Sequence, residues 1–284
     1  MQEKIKVLTI GDYQSSILEN HFKNNENIEF LELSLNESIE KLNNKLSNRD
    51  IVFLRSNGNN FETLLEIGKA LKEKEIITVT ILEEKLVIEN KEILEKSFNT
   101  IFPVIKKDNV ENLLLELLKT IDNIIFGICF INLDIEDVKN MLEDLGIAVF
   151  GTFNKNEENS EKELVKSITY PFYNKTLKDS KKILIHLDTL EDVGLAESQV
   201  SIEALRDESS KEIEDILFSL RIDTHLKNRI ECSFIAGKFR EKDVLKCLDS
   251  SEVCDKKEIE EIIEILSNLS EEDKEISSSH VIEL

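Results

Sequence analysis

Four residues near the middle of the chain have the types and spacing for chemistry: Asn132, Asp134, Glu136 and Asp137. A pair of carboxylates projecting from a loop can orient a water or a metal-bound group. The same residues also suit a helix start. Asp134 stands where an N-cap belongs, and Asp137, three positions on, supplies the acid of a capping box at the positive end of the helix. On the residues alone both uses stand, and the cap is the commoner one.

Phosphate chemistry would need clustered glycines, because backbone N–H groups must reach the phosphate with no side chain in the way. The chain has eight glycines, where average usage predicts roughly 20. The first strand-like run ends in GDYQSS, Gly11 to Ser16, with one glycine and an aspartate whose charge opposes a phosphate. The run ending at Leu54 passes into RSNGNNFET, where Gly58 stands alone. Neither matches a dinucleotide or P-loop fingerprint. Gly146 to Thr152 has the spacing G-x-x-x-x-G-T but no lysine, and its interior of Ile147, Ala148, Val149 and Phe150 reads as a strand. There is no G-x-S-x-G elbow, and His21, His186, His225 and His280 lie far apart without a partner motif, so no nucleophilic triad is expected. Cys129 and Cys232 sit in apolar segments and read as small core residues. Cys247 and Cys254 flank an acidic stretch with no histidine at ligand spacing, so no metal site is expected.

The elements that must position these residues alternate in type. IKVLTI (5 to 10), IEFLEL (28 to 33), DIVFL (50 to 54), IITVTIL (76 to 82) and TIFPVI (100 to 105) are short apolar runs that suit strands buried on both faces. A helical pattern at 61 to 74 puts Phe61, Leu64, Leu65, Gly68 and Leu71 on one face. Such alternation predicts a mostly parallel, doubly wound α/β sheet. Residues 108 to 126 carry Val110, Leu113, Leu114, Leu117, Ile121, Ile124 and Ile125 on one broad stripe, widened by Leu115 and Leu118. That helix is expected to lie between two bodies of protein, with ordinary core burial in one domain as the alternative. The second half predicts an amphipathic helix within 132 to 146 that stops at Gly146, then a strand at 147 to 153 and a helix ending before Pro171. A strand at 182 to 187, a helix near 198 to 208 and strands at 215 to 220 and 229 to 236 complete it. The last two strands read as an antiparallel hairpin. From about Arg240 the chain becomes charged, with one amphipathic helix around Ile259, Ile262, Ile263 and Leu266, and reads as a mobile tail.

A chain of 284 residues is comfortable for two cores. No apolar run approaches the roughly 20 residues of a membrane helix. The opening MQEKIKVLTIG has no long apolar stretch or cleavage site of a signal peptide, so the protein is expected in the cytoplasm without direct membrane insertion. A formal charge of −22 repels nucleic acid and anionic lipid and points to a protein partner.

The stretch FINLDIEDVKNMLEDLGIAVFGTF, 130 to 153, resembles the start of the second domain of FtsZ, the bacterial tubulin homologue that builds the division ring. The resemblance continues through SITYPFYNKTLKDSKKILIHL, DTLEDVGLAE and IECSFIAGKF, and the helix at 108 to 126 resembles the family's central helix. It implies a truncated Rossmann-like GTPase-type domain (1 to 107), a central helix (108 to 131), an α+β C-terminal domain (132 to 239) and an acidic tail (240 to 284). In the family the loop after the central helix completes hydrolysis in the neighbouring subunit. Asn132, Asp134 and Asp137 fall on its Asn-x-Asp-x-x-Asp pattern, so the resemblance favours an interface role in trans alongside the cap. The family's glycine runs are replaced by GDYQSS and RSNGNNFET, the stretch from Asn24 to Arg49 is shorter than its counterpart, and Glu111 or Asn112 stands at the base-recognition position. The resemblance therefore implies a pseudo-GTPase without cofactor, a filament partner at the division septum that meets FtsZ or itself head-to-tail. Other division proteins would be met through its acidic tail. The first alternative is a divergent FtsZ that keeps GTP at Gly11, Asp12, Ser15, Asn57, Gly58 and Asn59 and hydrolyses it on assembly. The second is a scaffold outside division that has kept the fold.

Overall fold

The computed structural model describes residues 3–11, 16–34, 39–42, 44–56, 60–106, 109–156 and 161–239. All of them belong to one compact unit, Met1–Glu241, and the expected tail and its helix lie outside the described residues.

Two sheets organise this unit. The first is wholly parallel and contains β1 (Ile5–Ile10), β2 (Ile28–Leu33), β3 (Ile51–Ser56), β4 (Ile77–Glu83), β5 (Thr100–Val104) and β6 (Gly146–Ile147), in the order β2-β1-β3-β4-β5-β6. The predicted strands are found within a residue or two of their expected ends. Every residue of β1 and β5 is buried, as an unbroken apolar run demands when helices cover both faces. One face packs against α2 (Phe61–Lys72) and α3 (Glu84–Ser97). The other packs against α1 (Ser16–Phe22) and the long α4 (Asn109–Phe126).

α4 buries Leu113, Leu114, Leu117, Leu118, Ile121 and Ile124. Its core joins strand residues of the first sheet, such as Val7, Phe53 and Val79, to Phe150, Leu184 and Ile235 of the second. α4 thus lies between the two sheets inside one compact unit, and each of those side chains contributes roughly 1.5–3 kcal/mol by leaving water. α5 (Ile135–Leu142) follows and stops short of the expected Gly146: its C-cap is Glu143 in right-handed helical backbone, and Gly146, with φ +59, opens β6 instead.

The second sheet has the order β7-β10-β8-β9, from β7 (Val149–Lys155), β8 (Lys182–Thr189), β9 (Asp215–Ile222) and β10 (Ile230–Gly237). α6 (Glu161–Ser167) and α7 (Leu195–Glu208) cover its far face over a second core that includes Phe153, Ile185, Leu205 and Phe234. Two expectations are corrected here. The run 147 to 153 is not one strand: the chain pairs Ile101 with Ile147 in the first sheet, then crosses at Ala148 into β7 of the second. One apolar segment serves both sheets because both need a buried strand at that point. Nor do β9 and β10 form a hairpin. β9 follows α7 as a crossover strand parallel to β8, and β10 occupies the other side of β8, antiparallel to it. The connection 223–229 passes over the end of β8, where Asp223 N–H donates to Thr189 O (2.9 Å) and Leu190 N–H to Arg229 O (3.0 Å). Crossing one strand means spanning two interstrand spacings of about 4.8 Å each, easily within the reach of that connection.

Candidate functional site

The loop after α4 is built from short-range constraints. Gly127 N–H donates to Asn123 O at 3.1 Å, and a Cβ on Gly127 would stand 2.3 Å from that oxygen, so only glycine fits the helix end. Cys129 N–H donates to Asn132 Oδ1 (3.2 Å). Phe130 and Ile131 both donate to Leu220 O (2.7 and 3.1 Å), and Leu220 N–H returns a bond to Ile131 O (3.1 Å), fastening the loop to β9. At the far end Asp134 caps α5. Asp137 N–H donates to Asp134 Oδ1 (2.8 Å) and Asp134 N–H to Asp137 Oδ2 (3.2 Å), the reciprocal capping box expected from the sequence. Each carboxylate has one oxygen in the cap. The second oxygen of each makes no hydrogen bond among the described residues.

Between these anchors the loop presents apolar surface. Ile128 is 96% exposed and Phe130 65%, next to exposed Asn132 and Asp134. Large apolar side chains so fully in water, on a backbone held from both ends, are the kind of exposure that marks a contact surface. The sequence reading named the acids of this loop and passed over its apolar tip, whose signal was two large hydrophobes flanking a cysteine where the periodicity of α4 has ended.

At the carboxyl edge of the first sheet, Gly11 leaves β1 with φ +81, and its N–H donates to Leu33 O (2.9 Å). Asp12, Ser15, Asn57, Gly58 and Asn59 lie outside the described residues. Arg55, which sequence reasoning missed, is 5% exposed near the end of β3. Its Nε donates to Thr9 Oγ1 at 2.8 Å, and its Nη1 lies 3.5 Å from Glu111 Oε1 in the first turn of α4. The only sequence signal for it is a charge closing an otherwise apolar strand, IVFLRS.

A third cluster joins residues distant in sequence. His186 Nδ1 lies 2.7 Å from Ser219 Oγ, and its Nε2 is 3.3 Å from Asp188 Oδ1, off the line of a hydrogen bond. Arg221 Nε donates to the same Asp188 oxygen at 2.6 Å, and Arg221 Nη1 reaches Asn123 Oδ1 of α4 at 3.4 Å. Burial opposes the Asp188 charge, yet the imidazole and guanidinium beside it prevail and hold its carboxyl below the usual carboxylate range. Although hydroxyl, imidazole and carboxylate meet here, Ser219 is fully buried and Asp188 is engaged by Arg221, so the group ties the second sheet to α4 and presents no nucleophile. Burial also pushes the Cys129 thiol above its ordinary pKa, against the pull of Arg221. Beside the cluster a polar cavity of about 290 Å³ opens between Lys119 and Asn123 of α4 and Thr152, Asp188 and Glu231 of the sheet.

The sequence matches no protein-family model and none of the curated proteins. Solved structures are similar over most of the chain. An empty FtsZ dimer from M. jannaschii is 16% identical with a TM-score of 0.63, covering 84% of this chain and 88% of that one. TubZ from Bacillus thuringiensis serovar israelensis, in GDP-form protofilaments, is 8% identical with a TM-score of 0.58, covering 97% and 94%. CetZ from Methanosaeta thermophila is 14% identical with a TM-score of 0.54, covering 96% and 98%. A parallel six-stranded sheet, a long helix between the sheets and a mixed four-stranded sheet, shared along nearly the whole length, give this chain the tubulin/FtsZ fold.

Proposed function

We propose that the protein is an FtsZ-like filament partner in cell division that docks head-to-tail through the loop 127–134, without binding or hydrolysing GTP. The observation that carries this reading is the exposed tip of Ile128 and Phe130 on a loop braced by Leu220 and the Asp134–Asp137 box. A loop ordered in advance loses little conformational entropy on docking, and its apolar tip supplies the driving force. Asn132, Asp134 and Asp137 line the same surface, with carboxylate oxygens left over from the cap. FtsZ from M. jannaschii occurs as a dimer and TubZ as protofilaments, which makes FtsZ or a second copy of this chain the partner of choice.

The loss of nucleotide rests on two supports. Eight glycines in the whole chain leave few backbone positions that could cradle a triphosphate. In addition, Arg55 bridges β1 and β3 at the carboxyl edge and pairs with Glu111 of α4, which supports the reading that this edge is held by the chain's own side chains. A subunit with one competent face and one altered face would cap or tune a filament, since a head-to-tail polymer needs two complementary faces on each member. Co-sedimentation with authentic FtsZ tests the docking: the protein should pellet with the filaments and change their GTPase rate, and absence of both effects would refute the reading. A second reading, retention of GTP, is favoured by the left-handed Gly11 at the end of β1. Titration calorimetry with GTP separates the two, micromolar binding supporting retention.

A further inference from the structure

Doubly wound sheets take ligands at the carboxyl ends of the two strands where the strand order reverses. In the order β2-β1-β3-β4-β5-β6 those strands are β1 and β3. Thr9 and Arg55 are register partners across this point, each one residue before the end of its strand. The Arg55 guanidinium donates to Thr9 Oγ1 at 2.8 Å and continues to Glu111 on α4 at 3.5 Å. An arginine so far out of water is costly unless it is paired and hydrogen-bonded. Its planar fork suits a site where it reaches Thr9 and Glu111 in different directions. Glu111 in turn sits in the first turn of α4, where the helix favours an anion.

We propose that Thr9, Arg55 and Glu111 form a built-in fastening at the switch point. A carboxylate of the chain's own long helix takes the place of an anionic ligand and holds the start of α4 to the sheet. The proposal rests on the reading that nucleotide binding has been lost and gives it a mechanism. The packing of α4, and with it the position of the loop at its far end, would then be independent of nucleotide.

The test is a double-mutant cycle on the full chain with Arg55→Met and Glu111→Gln, read by urea unfolding and by amide exchange over residues 112–117, each with and without millimolar GDP and Mg²⁺. If Arg55→Met fails to fold, Arg55→Lys replaces it, since an ammonium cannot serve both partners as the fork does. The expected result is a coupling of about tenfold in the unfolding constant, faster exchange of the α4 amides in both single variants, and no effect of GDP on the wild type. Additive effects, or exchange unchanged in Glu111→Gln, would overturn the fastening even where GDP has no effect, leaving the proposed loss of nucleotide in place. A GDP-dependent stabilisation of the wild type would overturn both.

Discussion

Asp134 is asked to do two things, and a pair of substitutions separates them. As N-cap of α5 its Oδ1 accepts from Asp137 N–H at 2.8 Å, and its own N–H donates to Asp137 Oδ2 at 3.2 Å. Asp134→Ala removes the acceptor and unbalances the box, at a cost of about 1 kcal/mol within a range of roughly 0.5–2 kcal/mol. With a urea m-value of about 3 kcal/mol/M, that lowers the midpoint by about 0.3 M. Asp134→Asn keeps an acceptor of equal capping quality and loses only the charge at an exposed helix start, so its cost is no more than about 0.5 kcal/mol. Both variants remain folded in buffer. In co-sedimentation with FtsZ, however, both should associate more weakly than wild type, because the charge facing the partner is gone in each. Stability and docking therefore diverge for Asn and fall together for Ala. Asp134→Asn pelleting like wild type would refute the contact role, and Asp134→Ala unfolding at the wild-type midpoint would refute the cap.

Three further outcomes follow from the geometry. Ile128→Ser with Phe130→Ser should abolish co-sedimentation while moving stability by no more than about 0.5 kcal/mol, since both side chains are already exposed; a large loss of stability would mean that the tip packs within the subunit. Gly146→Ala should cost about 1 kcal/mol or more in urea unfolding, because the position holds φ +59, and an unchanged midpoint would deny that strain. Asp188 has a folded pKa below its unfolded value of about 3.9. Its contribution is therefore complete above that value and fades as pH falls through the folded one. Asp188→Asn should flatten the acid limb of stability between about pH 5 and about pH 2, and a limb identical to wild type would remove Asp188 from the network.

Much of this molecule is local, and the local part is legible from the residues. The strands of the first sheet are continuous apolar runs because helices cover both faces. α4 carries a stripe too wide for one neighbour, and it has two. The Asp134–Asp137 box depends on a spacing of three residues and nothing else, so the sequence contained it whole. Gly146 does hold a left-handed backbone, but at the start of β6 and not at the end of α5.

Pairing between distant segments was decided elsewhere. DILFSLRI and IECSFIAG are both good strands separated by a short polar link, which is all that a hairpin shows in sequence. The choice of β10 for the middle of its sheet and β9 for its edge came from burial, since β10 is covered almost throughout while β9 ends in the exposed Asp215 and Ile222. Arg55 met Glu111, and His186 and Asp188 of β8 met Ser219 and Arg221 of β9, only because parallel register and crossover packing brought their strands and helices together. A charge at a strand end has no signature of its partner. Periodicity, caps and left-handed turns are energies of neighbours along the chain and can be read from the chain. Ion pairs across a switch point and strand order in a mixed sheet are energies of neighbours in space, and only the folded protein sets them.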